Sequence, residues 1–114
     1  MSDCVFCKIG AHQLQAMVVY EDRESIAFRD IDPQAPLHLL LVPKHHFQSL
    51  NEVTDADAGL LGRMVLAAVR IARQEGLADR GYRVVFNTGT EGGQSVAHVH
   101  LHLLGGRSLA WPPG

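Results

Sequence analysis

His98-Val99-His100-Leu101-His102-Leu103-Leu104 sets three imidazoles against alternating aliphatic residues. Successive side chains of a strand leave on opposite faces, so this spacing predicts a strand over His98–Leu104 with imidazoles on one side and a packing surface on the other. Before it lies a glycine-rich loop, Thr88-Gly89-Thr90-Glu91-Gly92-Gly93-Gln94-Ser95, and before the loop Tyr82 to Asn87 reads as a further strand. Working back, Val18-Val19-Tyr20 and Ile26-Ala27-Phe28 flank the polar stretch Glu21-Asp22-Arg23-Glu24-Ser25, the pattern of a hairpin with a longer loop. After the turn residues Asp32-Pro33-Gln34-Ala35-Pro36, the apolar run His38-Leu39-Leu40-Leu41-Val42 predicts a buried strand ended by Pro43. Thr54 and Asp57 have capping-box spacing, and Leu61, Met64, Val65, Ala68, Ile71 and Ala72 recur at helical intervals up to Gly76. One long helix with five strands gives an α+β fold with a mainly antiparallel sheet.

The chain has 114 residues, 46% of them hydrophobic, which suffices for one compact domain and not for two; residues 1–114 are expected to form a single domain. A core this small gains from pairing with a second copy. The net charge of -2 and the scattered Lys and Arg residues argue against polymeric nucleic acid as a partner. Met1 to Gly10 lacks a basic region followed by a long apolar stretch, and Arg63, Arg70 and Arg73 interrupt the most apolar helical segment, so a cytoplasmic location without a membrane partner is expected. Cys4 and Cys7 are the only cysteines and lie too close together to staple a fold; in a reducing compartment they read as thiolates or metal ligands. His12 and His45 stand outside any motif and read as solvated surface residues.

Imidazoles spaced by two on a strand suit two chemistries: together they gather a transition metal, or one attacks while its neighbours orient it and bind the substrate. Gly92-Gly93-Gln94-Ser95 offers backbone N–H groups that can converge as a nest for a phosphate, with the Ser95 hydroxyl and the Gln94 amide as further donors. A glycine loop is also an ordinary hairpin connection. Metal capture alone needs no anion cradle, so loop and histidines together favour a nucleophilic histidine acting on a bound phosphate.

These residues resemble the histidine triad (HIT) proteins, whose signature is the pattern His98-Val99-His100-Leu101-His102-Leu103-Leu104. Asp30-Ile31-Asp32-Pro33-Gln34-Ala35-Pro36, His38, Val42-Pro43-Lys44, Gly93-Gln94-Ser95, Gly105-Gly106-Arg107 and the terminal Trp111-Pro112-Pro113-Gly114 are similar to the nucleotide-binding branch of that family over nearly the whole chain. The resemblance implies a HIT-like fold with a short N-terminal helix, and a homodimer in which each subunit's sheet extends the other's. It implies a purine nucleoside phosphoramidase that cleaves the P–N bond of AMP-amine conjugates, with acyl-adenylates as alternative substrates. His100 would be the nucleophile that forms a transient nucleotidyl-histidine, with its other ring nitrogen donating to a backbone carbonyl nearby in the triad. His102, Ser95 and Asn87 would contact phosphate or ribose, His38 would support the triad, and Ser95 or a histidine would protonate the departing amine. Asp30 would hold the ribose hydroxyls, with Gly93 and Gln94 at the phosphate. Phe6, Ile9, Phe28, Ile31 and Leu40 would line the base pocket, though each taken alone also suits ordinary core. Trp111 would reach toward the partner subunit's site.

Similar members that carry the Cys4-Val5-Phe6-Cys7 pair complete a zinc site with histidines that match His46 and His98. Two thiolates and two imidazoles close a tetrahedron, so such a zinc is structural, and no catalytic metal or organic cofactor is expected. Ala97 replaces an aromatic common in relatives, and Leu109-Ala110 lies where relatives vary, both bearing on leaving-group preference. Three other readings compete: a dinucleoside polyphosphate hydrolase, a nucleotide-binding regulatory or interaction module, and a metalloenzyme with His98, His100 and His102 as ligands. His102 stands where uridylyltransferase relatives have glutamine, which argues against a transferase.

Overall fold

The computed structural model describes residues 3–114. Two helices, α1 (Val5–Gly10) and α2 (Ala58–Gln74), accompany five strands: β1 (Val18–Glu21), β2 (Ser25–Arg29), β3 (Leu37–Pro43), β4 (Tyr82–Phe86) and β5 (Leu101–Gly105). The strands form one sheet in the order β1-β2-β3-β5-β4, with every neighbouring pair antiparallel. This is the α+β architecture expected from the sequence, including the short first helix.

Three boundaries differ from expectation for local reasons. The last strand starts at Leu101 and not at His98: the His98 N–H turns back to the Val96 carbonyl at 2.8 Å and the Val99 N–H goes to the Phe47 carbonyl at 2.8 Å, so neither joins the ladder. Pro43 does not stop the third strand from outside but is its last residue, paired with Ser25, a position that asks for no amide donor. The Thr54–Asp57 capping box closes a 3-10 turn, Asp55–Asp57, one turn ahead of α2.

The sheet has two unlike faces. Ala27, Leu37, Leu39, Leu41, Leu101 and Leu103 pack against Met64, Ala67, Ala68, Ile71 and Ala72 of α2, each leucine, Ile71 and Met64 contributing roughly 1.5–3 kcal/mol when fully buried. On the opposite face Ile26, Phe28, Leu40 and Val42 pack against Phe6 and Ile9 of α1. Six residues are too few for an isolated helix to persist in water, so α1 depends on those two anchors. Because α1 sits over β2 and β3, the same face of β5 and β4 is left uncovered, and a cavity of about 760 Å³ lies there.

Candidate active site

His100 is buried, and its Nδ1 lies 2.7 Å from the carbonyl oxygen of His98. A carbonyl only accepts, so Nδ1 carries the proton and Nε2 of the neutral ring keeps its lone pair, the form a nucleophile requires. Phe6 makes a T-shaped contact with the same ring at a centroid distance of 5.1 Å, so α1 also holds it in place.

His38 on β3 and His102 on β5 face each other through Nε2 and Nδ1 at 2.9 Å. The backbone N–H of Gln34 donates to His38 Nδ1 at 3.0 Å, which puts the His38 proton on Nε2. That N–H therefore donates to His102 Nδ1, and the His102 proton must sit on Nε2. His102 Nε2–H is buried and has no partner among the described residues. A buried donor left unsatisfied costs about 1–3 kcal/mol, and an oxygen of a bound ligand would relieve it. Burial, and then the neighbouring His100 and His38, push the His102 pKa down to about 4, so the ring is neutral near neutral pH. Burial also lowers His38, against the opposing pull of Asp30, whose carboxylate lies 3.4 Å from Nε2.

The structure places the remaining expected residues unevenly. Asn87, His38, His102 and Trp111 line the cavity over β5 and β4, together with Gln34, Arg83 and Arg107, which the sequence reading did not assign. Arg83 lies opposite Leu104 across β4 and β5, a register that only the folded sheet reveals. Phe6, Ile9, Phe28 and Leu40 are buried in one cluster beneath α1 and are core in this structure. Ile31 was expected at a base pocket but is fully exposed, because the chain leaves β2 there in a turn braced by the Asp32 N–H on Asp30 Oδ1 at 2.9 Å. Trp111 is also largely exposed.

The glycine loop is braced from within. The Gly93 N–H donates to Thr90 O and the Gln94 N–H to Gly89 O, both at 3.1 Å, so these two amides do not form the open anion nest that was expected. Both hydrogens of the Gln94 amide are likewise spent, on Gln48 O at 2.7 Å and Val96 O at 2.9 Å, while Oε1 accepts from the Gly89 N–H. Gln94 is a brace here and not a further donor. Ser95 is exposed at the end of the loop.

Cys4, Cys7, His46 and His98 bring four ligand atoms within 4.8 Å of one another. His98 Nδ1 stands 3.3 Å from Cys4 Sγ, 3.6 Å from Cys7 Sγ and 3.0 Å from His46 Nδ1; Cys7 Sγ is 3.3 Å from His46 Nδ1. A tetrahedral zinc with ordinary bond lengths would separate nitrogen from sulfur by about 3.5 Å and nitrogen from nitrogen by about 3.3 Å, so the set fits. His98 Nε2 lies 2.8 Å from the Pro43 carbonyl and must donate to it, leaving Nδ1 as the lone pair, which is the outer-shell arrangement of a metal-bound histidine. This group could hold a metal ion and is compatible with zinc.

Asp30, His38 and His102 also converge within 4.8 Å. Their outer shell is wrong for a metal: the far nitrogen of His38 faces an N–H donor, which forces the proton onto the nitrogen that would ligate. The three triad histidines do not make a ligand set either, since His98 belongs to the cysteine group and His102 to the Asp30 group. His12 and His45 are exposed as expected, although His12 also pairs with Glu21 at 2.8 Å.

Comparison with known proteins agrees with this geometry. The HIT domain family matches residues 11–109. An uncharacterised HIT-like protein of Synechococcus elongatus is 54% identical over 112 residues, which cover 98% of this chain and 97% of that protein. The crystal structure of a HIT family hydrolase from Legionella pneumophila superposes with a TM-score of 0.97 at 53% identity, covering 98% of this chain and all of the other. A histidine triad nucleotide-binding protein from Candida albicans matches with a TM-score of 0.82 at 30% identity, covering 96% and 83% of the respective chains.

Proposed function

The chain belongs to the HIT domain family, and from that premise we propose that it is a purine nucleoside phosphoramidase of the nucleotide-binding branch, hydrolysing the P–N bond of AMP-amine conjugates. The observation that carries this reading is the proton order of the site: His100 Nδ1–H is committed to the His98 carbonyl, which leaves Nε2 as a fixed nucleophile. In the first step Nε2 attacks phosphorus and the P–N bond breaks. The amine leaves with a proton, and the nucleotide is held on His100. In the second step water attacks phosphorus, the His100–phosphorus bond breaks and AMP is released.

His102 Nε2–H supports the same reading, because it is an unpaired donor next to the nucleophile that a phosphate oxygen or the leaving nitrogen would satisfy. Asp30, 3.4 Å from His38, is the carboxylate available for ribose hydroxyls, and Asn87, which lines the cavity, and the exposed Ser95 would supply further polar contacts. Cys4, Cys7, His46 and His98 would hold a structural zinc whose closed coordination leaves no position for substrate. The assembly in this reading is a cytoplasmic homodimer with the two sheets joined.

The test is hydrolysis of adenosine phosphoramidate by the wild type and by His100→Ala. The expected result is turnover by the wild type and a loss of several orders of magnitude in a folded variant that still binds AMP. Absence of turnover by a wild type that binds AMP would overturn the enzyme in favour of a nucleotide-binding module. Turnover only of dinucleoside polyphosphates would replace the substrate class.

A further inference from the structure

The peptide plane that joins His98 to Val99 orients the nucleophile, and no strand holds it. Its carbonyl accepts from His100 Nδ1 at 2.7 Å, and its N–H donates to the Phe47 carbonyl at 2.8 Å. Both segments that meet here are irregular. Residues 96–100 precede β5, and residues 44–49 follow β3. Past the Lys44 N–H, which closes the β2–β3 ladder on the Glu24 carbonyl at 2.7 Å, neither is part of a strand, yet each carries a ligand of the cysteine–histidine cluster next to the plane: His98 is part of it, and His46 adjoins Phe47.

We infer that the Cys4, Cys7, His46 and His98 cluster, when it holds a divalent metal such as zinc, is a positioning device for His100, fixing the His98–Val99 peptide plane and through it the ring tautomer of the nucleophile. The His98 ring would then be pinned at both nitrogens, Nδ1 to the metal and Nε2–H to the Pro43 carbonyl. A ring held at both ends cannot rotate, and its backbone carbonyl keeps one direction. His46 on the same metal holds the Phe47 carbonyl at the other edge of the plane. Cys4 caps α1 and Cys7 lies within it, so the same cross-link also fixes the helix whose Phe6 ring packs against His100. Gln94 provides a second tie between the segments through Gln48 O and Val96 O. Metal loss therefore loosens the plane without dissolving it, and the effect is a reduction in rate with the fold retained.

This inference rests on the phosphoramidase reading for its kinetic consequence only; the geometric consequence is measured independently. The experiment compares zinc-loaded wild type, chelator-stripped wild type and His46→Ala, chosen because His46 is the exposed ligand and the fold does not depend on its burial. Three quantities are read: bound zinc per chain by elemental analysis, the ring-nitrogen shifts of His100 by heteronuclear NMR, and kcat and KM for adenosine phosphoramidate. The expected result is one zinc per loaded chain and a single Nδ1–H tautomer of His100 when loaded, with mixed tautomers when stripped or in His46→Ala. kcat should fall about tenfold to hundredfold with KM nearly unchanged. A merely structural metal would move the melting temperature and leave the tautomer and kcat alone, which would overturn the inference. Failure of the loaded protein to bind zinc would overturn it as well. If the loaded wild type turns over no amine-linked nucleotide, the phosphoramidase reading fails, while the His100 ring signal still decides the positioning role.

Discussion

One amide hydrogen orders two histidines. The Gln34 N–H faces His38 Nδ1, and from that contact the protons of His38 and His102 follow in sequence, ending in a donor beside His100 with no partner among the described residues. The arrangement requires His102 to be neutral, and this has a consequence for acid stability. An ordinary histidine titrates near 6.5, whereas burial, His100 and His38 push His102 down to about 4. Between those values the unfolded chain takes up a proton that the folded chain refuses, so the contribution is full above pH 6.5, declines as pH falls toward 4 and is flat below. His38 and His98 are shifted in the same direction, chiefly by burial. Thermal melts of metal-stripped protein across this range should show the decline, and His102→Gln, which loses one such group, should show a shallower one. At the same residue His102→Ala should lower kcat about 100-fold, the scale of a lost general acid, with AMP affinity reduced much less.

At the scale of elements, the loop between β4 and β5 is held in shape by close approach. A side-chain carbon on Gly92 would collide with the backbone carbonyl of Thr88, and Gly93 occupies positive φ at 79°, where a β-carbon is strained. Gly92→Ala must open the loop, so turnover should drop severalfold or more while the melting temperature moves little, since the loop carries no buried core. The reverse pattern belongs to α2. Met64→Ala removes a side chain that is 1% exposed, and it should cost about 2–5 kcal/mol in chemical denaturation with kcat of the remaining folded protein near wild type. Together the two variants separate the element that shapes the site from the element that stabilises it.

For the whole molecule, two departures from an isolated monomer are testable in solution. β4 is an edge strand whose residues are all half-buried, which suits pairing with a second copy; light scattering is expected to give twice the 12.5 kDa chain mass, with a melting temperature that rises with protein concentration. A single-chain mass at micromolar concentration would rule out the joined sheet. Zinc that binds only the folded chain adds about 2.7 kcal/mol of stability at a hundred times its Kd, so chelation should lower the melting temperature by several degrees. No helix among the described residues is long and apolar enough to cross a membrane.

Much of this was legible in the order of the residues. Alternation along His98–Leu104, the apolar run around Leu40 and the helical spacing from Leu61 to Ala72 are local periodicities, and they determine which elements form and which faces they bury, because burial of apolar side chains follows backbone repeat. The Cys4–Cys7 spacing and the triad likewise marked side chains that the fold draws together. What tertiary structure alone decided is where backbone polar groups fall. The Gln34 N–H, the carbonyls of Pro43 and Phe47, and the main-chain bonds that removed the Gly93 and Gln94 amides from the expected nest involve groups that nearly every residue carries and leave no mark in a sequence. Ile31 shows the same limit: the resemblance assigned it to a base pocket, and only the fold shows that the turn after β2 leaves it fully exposed. Side-chain chemistry is written residue by residue, whereas proton order in the site is set by main-chain groups that converge only when distant segments meet.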